Sequence, residues 1–359
     1  MSRMLREVKK ANVDCSVPII SIVKNEIFFL PAFFEHYRGL GAKHFVILDD
    51  RSDDGTTEYL MSQDDCTVVN SDLTYGQYID GKKADVLWRT ELPQKYCHGR
   101  WGVLVDADEF LELPPGFEQL EAFTHILDGK NIDTVGAVMV DFYPDKAIDL
   151  QQREAPRSKS DLLTRYPYFD DCHYGSWIDG CNEFRRAYGG VRQRLMQEHQ
   201  IALYGQKRAS AFRAIKSGVR KLIGTEKQKS FCALYKVPLI RWDESCFHIN
   251  SHKTNRAPAD GIQLPLMHFK FTGSLLQKID FAIESGGYDR QSSDYRAYRD
   301  LLGVMMQRDA SLLGRNSRKY SSKQDFISNG ILKFDVGGGE LLKDHRTNWP
   351  WAAQSDRVA

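Results

Sequence analysis

The sequence predicts an α/β fold: a mostly parallel sheet flanked by helices, with a helical C-terminal region. Three observations predict it. Short β-branched runs recur through the first 150 residues, beginning with "VPIISIV" at 17–23. Stretches with helical spacing separate them, and such alternation implies crossover connections and parallel pairing. The 359 residues are 42% hydrophobic and 27% charged, which is ordinary globular composition with material for a large core.

Taken in order, residues 1–16 are polar and read as a tail, with order expected from Val17. "VPIISIV" is continuously apolar apart from one Ser, as expected for a strand buried on both faces. In "IFFLPAFFEHYRGLG" (27–41), Ile27, Leu30, Phe34, Tyr37 and Leu40 share a helix face. Pro31 is tolerated in its first turn, and Gly39 or Gly41 can close it. "HFVIL" (44–48) is a second strand, and in "DDRSDDGT" after it Ser52 or Asp53 can cap the helix that "TTEYLMS" begins. "CTVVNS" (66–71) is a third strand, "KKADVLWRTEL" (82–92) a helix, "WGVLV" (101–105) a fourth strand and "TVGAVMVDFYP" (134–144) a fifth. Beyond residue 150 the pattern loosens, with a β-like part at 231–272 and helical periodicity again over 276–359.

The charge balance excludes several classes. Net charge is +1, which carries no polyanion-binding signature, so nucleic acid is not an expected partner. Seven scattered cysteines include no CxxC pair; they read as reduced thiols in a cytoplasmic protein. The N-terminal residues lack the apolar core of a secretory signal, and no window approaches the ~20 apolar residues that span a bilayer. Any membrane contact is expected to be peripheral, at the inner face of the membrane. The segment suited to it is 207–229, with eight Lys/Arg, one Glu, and Phe212, Ile215, Val219 and Leu222 at helical spacing. That pattern fits an anionic membrane surface, and equally a solvated helix packing its apolar stripe on the domain.

The chemistry gathers at the ends of the predicted strands. Parallel sheets bind ligands at the carboxyl ends of their strands, which places Lys24-Asn25-Glu26, Asp49-Asp50 and Asp106-Ala107-Asp108 on one rim. Asp106 and Asp108 are two apart, so they point the same way on a strand or converge in a tight turn. Left alone, one of them would hold a proton. A hard divalent cation, Mn²⁺ or Mg²⁺, removes the repulsion and keeps open positions for phosphate oxygens. Asp49 and Asp50, at a strand tip, can accept hydrogen bonds from a base or ribose. Lys82 and Lys83 open the next helix, where an anion would relieve their opposition to the helix dipole. Glu109 is unexplained at this level.

"VKNEIFFLPAFFEHYRGLGAKHFVILDDRSDDGT" followed by "WGVLVDADEFL" resembles the family-2-like glycosyltransferases of GT-A fold. It is closest to the bacterial subgroup with an Asn-Glu first-strand end and Asp-x-Asp-Glu-Phe/Leu. "VDFYP" (140–144), "YFD" (168–170), "GGVRQR" (189–194), "KVPLIRW" (236–242), "LMHFKF" (266–271) and "SSDYRAY" (292–298) continue the likeness, to about residue 300.

The resemblance implies a GT-A-like (Rossmann-like) sheet, with a nucleotide-sugar-binding half at 17–150 and an acceptor-side half at 151–275. It implies a metal-dependent, inverting transferase that moves a sugar from a nucleotide-diphosphate sugar to a carbohydrate or lipid-linked sugar acceptor, in surface polysaccharide or glycolipid synthesis. Asp106 and Asp108 match the metal-binding pair, and His268 falls where many relatives supply a histidine to the same metal. Asn25 and Glu26 match the first-strand rim of the nucleotide pocket, Asp49 or Asp50 the acids on base or ribose, and Lys83 a basic residue for the nucleotide. The downstream Glu-Asp pair that carries the family's catalytic base has no clear equivalent here. Asp170, an acid after aromatics as suits a sugar site, is the first choice; Asp179, Glu183 and His252 are others. Arg192 and Arg194 are either phosphate ligands or solvated strand residues. Two other classes compete: a nucleotidyltransferase, disfavoured because no Gly-rich loop lies near the first strand, and a non-catalytic sugar-binding relative, disfavoured because both aspartates are intact.

Overall fold

The computed structural model describes residues 5–13, 16–171, 175–179, 184–199, 201, 233–286 and 289–335, with the backbone alone for 175–179, 184–186, 188, 289–291 and 293. The basic segment 207–229 and the alternative base Glu183 lie outside the described residues, and so does the side chain of Asp179.

A ten-stranded sheet forms the centre of an α/β fold. From edge to edge its strands are Leu5–Lys9, Cys66–Ser71, Phe45–Asp49, Ile19–Val23, Trp101–Leu104, Tyr235–Arg241, Thr134–Asp141, Ile262–His268 and Lys333–Phe334. The tenth, Glu109–Leu111, pairs with the far end of Ile262–His268. Cys66–Ser71, Phe45–Asp49, Ile19–Val23 and Trp101–Leu104 run parallel, as the alternating pattern predicts. Nearly all their residues are buried, which is what both-face burial requires. The helices Leu30–Gly39, Thr56–Ser62 and Ala84–Tyr96 connect or flank them.

Three features differ from the sequence reading. Residues 5–9 are not tail: Leu5–Lys9 pairs antiparallel with Cys66–Ser71 and covers that edge. Its alternating half-buried pattern is that of an edge strand, whose polarity hides it in a sequence scan. Tyr235–Arg241 enters the sheet antiparallel, between Trp101–Leu104 and Thr134–Asp141. It carries Pro238, and its register shifts between Lys236 and Leu239, as a residue without an N–H requires in mid-sheet. Neither Ser52 nor Asp53 caps the helix Thr56–Ser62. Its N-cap is Gly55, and Asp54 accepts from the Thr56 N–H at 3.0 Å. Ser52 instead donates to Asp49 at 2.6 Å.

The helix Leu30–Gly39 has Pro31 in its first turn and buries Leu30, Phe33, Phe34, His36 and Tyr37. Phe34 stacks on Phe45 of the sheet at 4.2 Å between centroids. The His36 ring is buried with them and donates to the Leu111 carbonyl at 2.9 Å. Between the sheet strands Ile262–His268 and Lys333–Phe334, helices Leu275–Ser285 and Asp289–Gln307 pack a second apolar cluster around Leu275, Ile279, Ala297 and Leu301. No helix among the described residues is long and apolar enough to cross a membrane. Cys66, Cys97 and Cys246 are buried free thiols.

Burial lowers the His36 pKa from 6.5 to about 4. Between those values the unfolded chain binds a proton that the folded chain refuses, so the stability is intact above about pH 6.5 and is lost as pH falls toward 4. Urea unfolding between pH 4 and 7 is expected to show this decline, and a His36→Gln variant to show a shallower one.

Candidate functional site

The strand rim is where side chains from distant parts of the chain meet, and register brings them there. Thr134–Asp141 and Ile262–His268 pair in parallel with Asp141 opposite His268. Glu109–Leu111 pairs antiparallel on the other side with Glu109 opposite His268. Three strand ends therefore set Asp141, His268 and Glu109 side by side. Asp141 receives His268 Nδ1 at 2.6 Å and Arg192 Nε at 2.6 Å. The other ring nitrogen, Nε2, faces Asp108 Oδ2 at 3.6 Å. A carboxylate that fixes one imidazole nitrogen and aims the other at an acid is the arrangement that orients a histidine ligand toward a metal. Asp108, Glu109 and His268 each offer a ligand atom, all within 4.8 Å of one another, and the group could hold a metal ion.

The turn Asp106–Glu109 is closed by its own chain. The Glu109 N–H donates to the Asp106 carbonyl at 3.0 Å, and the Asp106 N–H donates to Glu109 Oε2 at 3.0 Å. Glu109, unexplained in the sequence, is 1% exposed and shares Lys236 with Asp106, at 2.5 and 2.7 Å from the ammonium. Arg89 of the helix Ala84–Tyr96 takes the other Asp106 oxygen at 2.6 Å. Asp106 is thus held by two cations, and the structure does not gather it into the Asp108, Glu109, His268 group. Burial works against the ionised Asp106, yet Arg89 and Lys236 hold its carboxyl below the ordinary carboxylate range. Burial raises Glu109, with Lys236 opposing.

A cavity of about 510 Å³ opens over this rim, lined among others by Glu26, Asp50, Arg89, Asp106, Asp108, His252, His268, Lys270, Lys278 and Tyr295. Lys278, from the helix Leu275–Ser285, lies 2.9 Å from Glu26 and 3.2 Å from Asp108. Burial would raise the Asp108 carboxyl, but Lys278 and His268 hold it well below its usual value. Burial likewise opposes a charged His268, and Asp108 and Asp141 override it and raise the imidazole. Burial lifts Glu26 to about 7 against the pull of Lys278.

The predicted residues divide into two groups. Glu26, Asp50, Asp106, Asp108 and His268 line the cavity. Asn25, Asp49, Lys83 and Asp170 do not. Asn25, at φ 56°, bonds Asp53 through both ends of its amide, at 2.7 and 2.9 Å. Asp49 accepts from the Ser52 N–H and hydroxyl and from Thr57. These two shape the loops behind Glu26 and Asp50, where the Tyr75 N–H holds Asp50 at 3.0 Å. Lys83 lies over the Tyr75 ring at 4.3 Å. Asp170 is 1% exposed and is clamped by Arg194 at 2.8 and 3.0 Å and by the Tyr143 hydroxyl. Arg192 and Arg194 are neither solvated nor in a strand: they sit on the helix Gly190–Glu198 and pair with Asp141 and Asp170. Of the four candidate bases, His252 is the one that reaches the cavity among the described residues.

Lys236, Arg89, Asp141, Lys270 and Lys278 did not emerge from sequence. A signal existed for Lys236, a lone lysine in the apolar run "LYKVPLI"; burial tolerates such a lysine only when it is paired. The others are ordinary surface-type residues until the chain folds.

No known protein family matches the sequence, and no curated protein matches it. Among solved structures, a likeness is found to S. aureus TarS, at 16% identity and a TM-score of 0.27, covering 42% of this chain and 29% of that one. A second is to a putative glucose-1-phosphate thymidylyltransferase from Bacillus anthracis in complex with a sucrose, at 10% identity and a TM-score of 0.24, covering 40% of this chain and 67% of that one. Both likenesses are partial and distant.

Removing one member of a buried ion group strands its partners. Lys236→Met is expected to cost ~3–5 kcal/mol, read as a lowered urea midpoint, because it leaves Asp106 and Glu109 facing each other without their shared cation.

Proposed function

We propose that this chain is a glycosyltransferase with a GT-A-like catalytic domain, transferring a sugar from a nucleotide-diphosphate sugar to a hydroxyl acceptor with a divalent cation held at Asp108 and His268. The observation that carries the reading is the alignment Arg192–Asp141–His268–Asp108, which aims one imidazole nitrogen at a carboxylate on the rim of a roomy cavity. Oxygen and imidazole ligands suit Mn²⁺, and Mg²⁺ where water completes the shell. Such a cation, when bound, neutralises charge building on the diphosphate as the glycosidic bond breaks.

The chain's own residues do the rest. Asp50, held by the Tyr75 N–H, and Asp106, held by Arg89, present carboxylates to the base and ribose. Glu26 positions Lys278. Inversion at the sugar carbon needs a group that takes the acceptor's proton. His252 lines the cavity and is a neutral imidazole, its pKa lowered to about 3 by burial and Lys236; so weak a base takes the acceptor's proton only as negative charge gathers in the cavity when the donor binds. Its Nδ1 lies 3.3 Å from the Tyr235 carbonyl, which assigns the proton there and leaves Nε2 as the acceptor. A carbohydrate or lipid-linked acceptor in surface polysaccharide or glycolipid synthesis fits this chemistry.

A panel of UDP- and GDP-sugars, with Mn²⁺ and with chelator, tests the reading. Metal-dependent release of nucleoside diphosphate is expected from at least one donor, and Asp108→Asn is expected to lower it by about 100-fold. Release of nucleoside monophosphate and sugar phosphate would indicate attack at phosphorus instead, and no metal-dependent turnover of any donor would overturn the proposal. His252→Asn is expected to lower transfer to an acceptor by about 100-fold while leaving donor affinity, measured by calorimetry, within about twofold.

A further inference from the structure

Carboxylates and cations around the rim are nearly matched. Glu26 and Asp108 share Lys278, Asp106 and Glu109 share Lys236, and Asp141 has Arg192 and His268. Two lysines lining the cavity have no such partner among the described residues: Lys24, which donates to the Arg51 carbonyl, and Lys270. Lys270 follows the strand Ile262–His268 by two residues and lines the cavity, with no carboxylate at ion-pair distance among the described residues. Its polar contact is the Tyr295 hydroxyl at 3.4 Å, and its ammonium lies 5.0 and 6.0 Å from the ring centres of Tyr295 and Tyr298. Aromatic faces compensate a recessed ammonium only in part. An unpaired cation in such a place costs folding free energy, so it is suited to an anion that arrives later.

Lys278 reaches the same wall from the helix Leu275–Ser285, and Tyr295 from the helix Asp289–Gln307. We infer that Lys270, Lys278 and the Tyr295 hydroxyl form a seat for the diphosphate of the donor, in which Lys270 supplies an ammonium that no carboxylate of the described residues engages. The inference rests on the reading of the cavity as a nucleotide-sugar site, and it adds that the phosphates are gripped by lysine as well as by metal. Two ammonium groups, each with three donors, and a phenol can all donate to phosphate oxygens. Burial raises the Tyr295 pKa, so the phenol keeps its proton and remains a donor. The seat needs no divalent cation, so part of the anion affinity survives chelation.

Inorganic pyrophosphate is the probe, because it carries the diphosphate without the base or sugar. Calorimetry on the full chain in EDTA is expected to show pyrophosphate binding, with orthophosphate at least about tenfold weaker. Lys270→Met is expected to weaken pyrophosphate by about tenfold or more, as loss of a charge-assisted contact does, and to raise the Tm of the ligand-free protein, since the unpaired charge is gone. Lys270→Arg is expected to retain binding, and Tyr295→Phe to weaken it severalfold. The inference is overturned if the wild type binds pyrophosphate only with metal, if orthophosphate binds as tightly, if Lys270→Met binds like wild type, or if Lys270→Met lowers the Tm. Pyrophosphate binding lost on Lys270→Met, with no donor turned over, sinks the transferase reading and keeps the seat. Donor hydrolysis with an unchanged KM in Lys270→Met keeps the transferase and sinks the seat.

Discussion

The ammonium of Lys236 is the contact on which the rim depends. It lies in the central antiparallel strand and joins Asp106 and Glu109 across the end of Trp101–Leu104. Without it, the buried Glu109 and the half-buried Asp106 would face each other across a four-residue turn with only Arg89 on Asp106 to offset them, which favours protonation of Glu109 or opening of the turn. With it, the turn closes through one backbone hydrogen bond and one from the Asp106 N–H to the Glu109 carboxylate, and Asp108 is left lining the cavity. Lys236 stands 130 residues after Asp106 in the chain, so the ion pairs tie the late part of the chain to the early sheet.

Register then does what no single residue can. Asp141, His268 and Glu109 come from three strands, and they meet because Asp141 lies opposite His268 in one pairing and Glu109 opposite His268 in the other. A slip of one residue in either pairing would turn the imidazole to the other face of the sheet. The apolar residues of Ile262–His268 and Thr134–Asp141 are buried throughout, so such a slip is opposed by the whole core. The precision of the site is therefore borrowed from the hydrophobic effect acting on residues that never touch it.

Charge matching runs through most of the same region, and Lys24 and Lys270, which have no carboxylate at ion-pair distance among the described residues, both face the cavity. Paired acids and bases hold the rim together, while Lys270, beside Lys278, presents to the cavity an ammonium that no carboxylate of the described residues engages directly. A site of this kind trades some stability for readiness to receive an anion.

Much of the fold could be read directly from the chain. The β-branched runs, Pro31 near a helix start and the alternation of strand and helix determined the parallel half of the sheet, because local patterning and burial there agree. Asp106, Asp108, Glu26 and Asp50 were legible too, since the carboxyl ends of parallel strands are sequence-adjacent to the strands themselves. Tertiary structure alone decided the rest. The antiparallel insertion of Tyr235–Arg241, the pairing of Lys278 with Glu26 and Asp108, and the distance of Asp170 from the cavity depend on contacts spanning many tens of residues. Asn25 and Asp49, which the chain presents in the same way as Glu26 and Asp50, turn into the loops behind them. Sequence determines which strand ends carry charge; packing and register decide which of those charges meet.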